Sequence, residues 1–268
     1  MTAPSANPEK TAAKPRPLQP IRPASTVIIV RDAQPQFEVF MLRRTRGASF
    51  AGGMFVFPGG RVDGDDHLHK YDRVRVEPAH SQAPQLNALG YEWRGFYIAA
   101  IRETFEEAGL LLAYEADGSL LSYETDAKEA RFDAYRTPLH DGELSLLELC
   151  EQERLKLAFD QVHYYNRFVT PLGRPRRFDT RFFIARAPQV QVGRHDTKET
   201  VDSVWISPAE ALERNAAREF DLMRVTQLQL KALNEFAQAD DLLAMASTNS
   251  KFPVSRPEVP VDLPLSTQ

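Results

Sequence analysis

The segment with the strongest pattern reads Ala99-Ala-Ile-Arg-Glu-Thr-Phe-Glu-Glu-Ala-Gly109. Its apolar spacing predicts a helix, and Gly109 is a typical C-terminal stop. On such a helix Glu103 and Glu107 lie one turn apart on the same face, with Glu106 beside them. Like charges at this spacing repel each other. A divalent cation would turn the repulsion into attraction, because hard ions such as Mg²⁺ bind carboxylate oxygens.

A short apolar strand that ends in paired glycines lies upstream, in the segment Gly53-Met-Phe-Val-Phe-Pro-Gly-Gly-Arg-Val-Asp63. Paired glycines let the backbone approach a ligand closely and present an amide or a carbonyl group to an ion or phosphate. Arg102, directly before the first glutamate, is placed to orient a carboxylate. Each segment alone is typical of a turn or of a solvated acidic face. Together they predict a site for a cation and a phosphate.

The rest of the chain alternates between β-rich and helical patterns. Strands are predicted at 26–30, 37–42, 54–57, 162–169, 178–187 and 203–206, the first two forming a hairpin. Helices are predicted at 93–112, in two pieces within 124–158, after Ser207-Pro208 and within 221–246. Strands interleaved with helices predict an α/β fold with a mixed sheet.

Proline is concentrated at both ends of the chain. This bias predicts an extended tail at 1–23 and a second tail at 247–268. Between them, residues 24–246 show no linker-like change in composition, which predicts a single domain.

Composition excludes several classes of protein. The net charge is −4 over 268 residues, which argues against a protein that coats nucleic acid or an anionic membrane. No apolar run is long enough to span a bilayer, and the N-terminus has no apolar signal-peptide core, so a cytoplasmic protein is expected. The single cysteine, Cys150, excludes an intrachain disulfide and a Cys-based zinc cluster, and its helical context predicts a packing role.

Taken together, the glycine loop and the acidic helix resemble the Nudix signature, G-x5-E-x7-R-E-U-x-E-E-x-G-U, in which U is an aliphatic residue. The matching positions are Gly60, Arg102, Glu103, Glu106, Glu107, Gly109 and Leu110. Asp66 and Thr104 depart from the pattern at a glutamate and an aliphatic position. In addition, 35 residues instead of seven separate Asp66 from Arg102. Such an interrupted box resembles the superfamily branch that contains peroxisomal coenzyme A diphosphatases, and the run Gly53 to Gly60 fits the G-x3-F-P-G-G end of the coenzyme A signature.

The resemblance implies a Nudix-like α/β/α sandwich with a mixed sheet and extra helical insertions. It also implies bound Mg²⁺ or Mn²⁺, with metal contacts from Glu103, Glu106, Glu107 and the backbone near Gly60. Arg102 and Glu103 are the implied catalytic residues. A further carboxylate is expected from the loop before the last strand, where Asp196, Glu199 and Asp202 are candidates and Glu199 is preferred as ligand or general base.

The expected function is metal-dependent hydrolysis of the diphosphate linkage in a small nucleoside diphosphate derivative, with coenzyme A or acyl-coenzyme A as the leading substrate. Two alternatives stay open: a hydrolase of ADP-ribose or dinucleotides, and a catalytically weak Nudix module that binds a nucleotide as a sensor. Phosphate groups are expected to bind Arg43, Arg44, Arg46 and Arg61. The insertion at about 67–92 is expected beside the active site, where it and the helical segment at about 124–158 set selectivity. A homodimer is left open.

Overall fold

The computed structural model describes residues 19–48, 51–174, 176–196 and 198–257. The strands of the described residues are β1 (Ile21–Arg31), β2 (Glu38–Arg44), β3 (Phe55–Val56), β4 (Gly59–Arg61), β5 (Ala113–Tyr114), β6 (Lys156–Leu157), β7 (His163–Val169), β8 (Arg177–Arg186), β9 (Thr200–Ile206) and β10 (Val254–Ser255). The α-helices are α1 (Ala83–Leu89), α2 (Trp93–Ala108), α3 (Asp126–His140), α4 (Leu146–Glu153), α5 (Pro208–Ala216), α6 (Arg224–Leu233) and α7 (Ala239–Ser247). Each strand and helix predicted from the sequence is present with shifted boundaries. The sequence did not predict α1, β4, β5, β6 or β10, and β6 lies within the segment 124–158 that was expected to be helical.

Eight of these strands form one mixed sheet around β1. Its order is β10-β7-β8-β1-β2-β3, with β4 also paired to β1 and β9 also paired to β2. The predicted hairpin is present, since β1 pairs with β2 in antiparallel fashion. On its other edge β1 runs parallel to β8 over ten residue pairs. The two glycines of β4 lie opposite Ser25 and Thr26 of β1, which places the glycine loop at the centre of the sheet.

Helices cover both faces of this sheet. Because side chains alternate along a strand, Val27 and Ile29 of β1 face one core and Ile28 and Val30 face the other. The first core lies against α2 and the segments from α1 to α4, and the second lies against α5, α6 and α7. The predicted α/β/α sandwich is confirmed. None of the described helices combines the length and apolarity needed to cross a bilayer.

The sheet extends beyond both predicted domain boundaries. Residues 21–23 belong to β1, and the carbonyl oxygen of Pro23 still accepts a hydrogen bond from the Val62 amide. Near the other end, Phe252 stacks on Tyr164 at 4.6 Å and β10 pairs with β7. The proline-rich composition therefore did not predict the ends of the sheet correctly. Proline has no backbone amide hydrogen to donate, but its carbonyl oxygen can still accept a hydrogen bond from a neighbouring strand. The outer parts of the predicted tails, 1–18 and 258–268, lie outside the described residues, and the division into one domain stays a prediction.

The insertion is an ordered part of the structure. Three short 3₁₀ helices at 64–67, 69–74 and 80–82 lead into α1. Gln82 is fully buried and its amide donates to the carbonyl oxygens of Phe159 and Val162. Gln85 is also buried, and its side-chain oxygen accepts from the Tyr164 amide. These two polar side chains satisfy backbone groups that would otherwise be buried without a partner.

Candidate active site

The acidic turn lies at the C-terminal end of α2, and its backbone is held from outside the helix. Gly109 ends the helix in the left-handed conformation, with φ 69°. The guanidinium of Arg136, from α3, is 7% exposed and donates to the carbonyl oxygens of Glu106 and Glu107 at 3.1 and 3.0 Å. A cation at a helix C-terminus also interacts favourably with the helix dipole. Arg136 therefore fixes the turn that carries the glutamates.

Arg102 connects this turn to Asp66, directly before the insertion. Its Nε and Nη2 atoms donate to the two carboxylate oxygens of Asp66 at 3.0 and 2.9 Å. Its Nη1 atom donates to Glu103 at 3.0 Å and to Glu106 at 3.2 Å. Asp66, which departs from the signature, is only 1% exposed and holds the arginine in place. Arg102 thus contacts Glu103 as the resemblance implied, and its role in orienting this carboxylate stays a prediction.

The second departure from the signature also has a physical reason. Thr104 is fully buried, and its hydroxyl donates to the carbonyl oxygen of Ala100 at 2.7 Å. A hydroxyl that finds a partner within its own helix can be buried without a large desolvation cost. Threonine can therefore replace an aliphatic residue at this core position.

The paired glycines contact the glutamates directly. The amide of Gly59 donates to Glu107 Oε2 at 2.9 Å. A Cβ atom on Gly60 would lie 2.4 to 2.5 Å from the carboxylate atoms of Glu103, closer than real Cβ contacts. Glycine is therefore required at position 60 for the carboxylate to occupy its observed place. The hydrogen-bonded amide belongs to Gly59, and the predicted metal contact near Gly60 stays a prediction.

The negative charges of Glu103 and Glu107 are not fully compensated by the positive groups around them. Burial raises the pKa of Glu103 to about 8, although Arg102 opposes the shift. Burial, and next the charge of Glu103, raise the pKa of Glu107, while the Gly59 amide and Arg44, 3.7 Å away, lower it. Glu106 is placed differently, between Arg102 and His140 Nδ1 at 3.8 Å.

These donors fit a hard divalent cation, because buried carboxylates lacking a full counter-charge are the ligands that Mg²⁺ and Mn²⁺ prefer. Across the described residues, no three His, Cys, Asp or Glu side chains already converge as a ready-made cation site. The identity of the metal-binding carboxylates is therefore a proposal. Glu103 and Glu107 are the strongest candidates, because these two carboxylates lie against the paired glycines.

The raised pKa of Glu103 predicts that the stability of the protein depends on pH when divalent ions are absent. The pKa of Glu103 in the folded protein lies above the ordinary value of 4.5, so the folded state favours the protonated carboxyl. The stability that this preference contributes is complete below about pH 4.5 and is lost as the pH rises to about 8. In chelator, we expect the free energy of unfolding of the wild type, relative to Glu103→Gln, to fall by at least about 1 kcal/mol between pH 5 and 8. Urea unfolding measures this difference. A difference that is constant with pH contradicts the assignment.

Of the three candidate carboxylates expected before the last strand, Glu199 alone lines the cavities, and Asp202 lies within β9 itself. Asp196 accepts the backbone amides of Glu199 and Thr200, so its charge stabilises the loop itself. Asp202 accepts the Ser203 amide at 2.9 Å and lines neither of the cavities described below. Glu199 accepts from Arg44 Nη2 at 2.9 Å and lines both cavities. Its position fits the predicted choice, while its chemical role stays a proposal.

Only two of the four arginines predicted to bind phosphates reach the site. Arg44 and Arg61 line the cavity beside the paired glycines. Arg43 points to the opposite side of β2, where its Nε atom donates to the Gly53 carbonyl oxygen at 3.3 Å, since neighbouring side chains on a strand alternate. Arg46 lies in the exposed turn after β2 and lines neither cavity. Arg44 and Arg61 therefore stay candidates for phosphate binding, whereas Arg43 and Arg46 line neither cavity, contrary to expectation.

Two cavities meet at the acidic turn, where they share Asp63, Glu103, Glu107 and Glu199. The larger cavity, of about 900 Å³, is bounded by the insertion and by the α3–α4 region. The smaller, of about 340 Å³, lies over one face of β1, β7 and β8. Sequence reasoning missed several lining residues: Lys70, Arg73 and His140 in the larger cavity, and Phe168, Arg176, Phe178 and Thr180 in the smaller one. Only the alternation 178, 180, 182 on β8 could have indicated such a shared face.

Comparisons with known proteins agree with this geometry. The family model of the NUDT19 Nudix domain matches residues 92–227, just over half of the chain. Acyl-coenzyme A diphosphatase NUDT19 of Gallus gallus is 28% identical over 247 residues, covering 79% of this chain and 65% of the relative. The Xenopus laevis protein of the same name is 25% identical over 235 residues, covering 77% of this chain and 62% of the relative. The chain thus spans less than two thirds of the length of these relatives.

A solved structure supports the fold. The crystal structure of a Nudix hydrolase from Alicyclobacillus acidocaldarius has a TM-score of 0.72 at 26% sequence identity, covering 86% of this chain and 98% of that chain. The resemblance inferred from the interrupted box is therefore confirmed by both sequence and structure. The chain belongs to the Nudix family, in the branch defined by the NUDT19 Nudix domain.

Proposed function

We propose that this protein hydrolyses the diphosphate linkage of coenzyme A and acyl-coenzyme A with the help of Mg²⁺ or Mn²⁺. The observation that supports this proposal most strongly is the position of Glu103 and Glu107, whose side chains are 14% and 6% exposed, at the junction of two cavities. A substrate with a bulky group on each side of its diphosphate fits this arrangement. The names of the NUDT19 relatives, acyl-coenzyme A diphosphatases, support the same substrate class.

Diphosphate hydrolysis requires neutralised phosphate oxygens and an activated water aligned with the bond that breaks. A bound divalent ion supplies both when it is present. Glu103 and Glu107 would hold it, the first oriented by Arg102 at 3.0 Å and the second by the Gly59 amide at 2.9 Å. One phosphorus–oxygen bond of the diphosphate breaks and the water oxygen takes its place, so each product keeps one of the two phosphates of the diphosphate. The products from coenzyme A are phosphopantetheine and adenosine 3′,5′-bisphosphate.

Two further residues have positions suited to this reaction. Glu199 is 42% exposed at its side chain, so it can reach a water molecule in the cavity and accept its proton. Arg44 is 18% exposed, bonds Glu199 and faces the smaller cavity beside Gly59. A guanidinium in this place would bind the diphosphate oxygens through charge-assisted hydrogen bonds. Arg61, at the end of β4, offers a second cation to the same group.

A comparison of substrates tests the proposal. We expect kcat/KM with Mg²⁺ to be at least about tenfold higher for coenzyme A than for ADP-ribose, a difference of about 1.4 kcal/mol in transition-state binding. The reverse preference would assign the chain to the ADP-ribose or dinucleotide hydrolases. Nucleotide binding without hydrolysis of any substrate, in Mg²⁺ or Mn²⁺, would identify a sensor module and refute the proposal.

A further inference from the structure

We propose that coenzyme A binds in one orientation: its nucleotide half occupies the smaller cavity, with Arg176 binding the 3′-phosphate, and its neutral pantetheine arm occupies the larger cavity. This inference rests on the proposed function and deepens it. The four residues shared by the two cavities mark the place of the diphosphate. The residues that line only one of the two cavities then decide which half of the substrate each cavity accepts.

The charges of the two linings are opposite once the shared residues are set aside. The smaller cavity has three basic side chains and no acidic one, and these are Arg44, Arg61 and Arg176. The larger cavity has three basic side chains against six acidic ones, namely Asp65, Asp66, Glu106, Glu143, Glu148 and Glu151. The nucleotide half of coenzyme A carries a 3′-phosphate, whereas the pantetheine arm carries no charge. Electrostatic complementarity therefore places the nucleotide half in the smaller cavity.

The surface of the smaller cavity also suits a purine base. Alternating residues of β8, Phe178, Thr180 and Phe182, form part of its floor, and Phe168 of the neighbouring β7 continues it. Phe168 and Phe178 are half-buried and line the cavity. Aromatic rings bind flat bases by stacking, and threonine hydroxyls can donate to or accept from the polar edge of a base. The volume of about 340 Å³ lies within the range of small-molecule sites, roughly 300–1,000 Å³.

Arg176 lies at the end of this cavity that is remote from the glutamates. Thr26 of β1 pairs with Gly59 on one side and with Phe182 on the other. Phe182 therefore lies at the same level of the sheet as Gly59, whose amide donates a hydrogen bond to Glu107. The first residue of β8, Arg177, is five residues away from Phe182, roughly 16 Å at 3.3 Å per residue. Arg176 directly precedes it and still lines the cavity. Arg44 and Arg61 are close to the glycines and suit the diphosphate, so Arg176 is left for a phosphate that is not cleaved.

The test compares Arg176→Ala with the wild type on coenzyme A and on 3′-dephospho-coenzyme A. We expect kcat/KM to fall about tenfold for coenzyme A and less than twofold for the dephosphorylated substrate. Arg174→Ala is the matched control, because it removes the same charge from the same hairpin loop at a side chain that does not line the cavity. It should change neither value by more than about twofold.

Product inhibition gives a second, independent measurement. Arg176→Ala should raise the inhibition constant of adenosine 3′,5′-bisphosphate at least fivefold and leave that of phosphopantetheine unchanged. Equal losses on both substrates, no loss on either, or weaker phosphopantetheine inhibition would overturn the orientation. These outcomes are distinct from failure of the proposed function, in which the wild type itself does not cleave coenzyme A.

Discussion

Replacing Glu107 with glutamine is expected to lower kcat/KM for coenzyme A by at least about a thousandfold, or about 4 kcal/mol of transition-state binding. Glutamine keeps the shape of the side chain and can still accept the hydrogen bond from the Gly59 amide. It removes the charge that would hold the divalent ion between the two cavities. Mn²⁺ affinity, measured by calorimetry, should fall together with turnover.

The fold of this variant should persist, because a neutral group at a buried position with a raised pKa relieves charge repulsion. Thermal unfolding in chelator should therefore show a melting temperature equal to or above that of the wild type. Glu92→Gln is a suitable control, since Glu92 is exposed at the start of α2 and lines neither cavity. A Glu107→Gln enzyme with wild-type turnover would refute a metal-binding role for this residue.

Replacing Gly60 with alanine is expected to cost about a hundredfold in kcat/KM, the second largest effect. The added methyl group would lie about 2.4 Å from the Glu103 carboxylate and must displace it. Gly60 does not have a positive φ, so the effect reports on the carboxylate rather than on backbone strain. The weakened site should also show reduced Mn²⁺ affinity.

Gly64→Ala is the matched control for this variant. A Cβ atom on Gly64 would meet no atom within 4 Å, and Gly64 also lacks a positive φ. It should retain activity within about twofold of the wild type. If both alanine variants were equally active, the close approach of Gly60 to Glu103 would have no bearing on catalysis.

Local patterns in the sequence were enough to predict the framework of the site. The helical spacing of Glu103, Glu106 and Glu107 depends on one turn of chain, and the stop at Gly109 needs only its left-handed conformation. The hairpin of β1 and β2 follows from alternation within each strand and a short connection. The resemblance to the Nudix signature added the expectation that the glycine loop meets the acidic helix, and the contacts of Gly59 and Gly60 agree with it.

Features that depend on distant parts of the chain were not predictable in this way. Arg136 holds the end of α2 from another helix, and nothing in its own segment indicates that contact. Gln82 looks like a surface residue in a polar insertion, yet the carbonyl groups it satisfies belong to Phe159 and Val162. Arg43 and Arg44 are adjacent residues of the same type. Only the register of β2 against β3 and β9 decides which of them faces the cavity.

The most direct test of the central claim is the mass-spectrometric identification of the products that the full chain releases from coenzyme A in the presence of Mg²⁺. The account predicts phosphopantetheine and adenosine 3′,5′-bisphosphate in equal amounts, with no products after chelation of the metal. Release of inorganic phosphate with 3′-dephospho-coenzyme A, or recovery of intact coenzyme A with either Mg²⁺ or Mn²⁺, would contradict it.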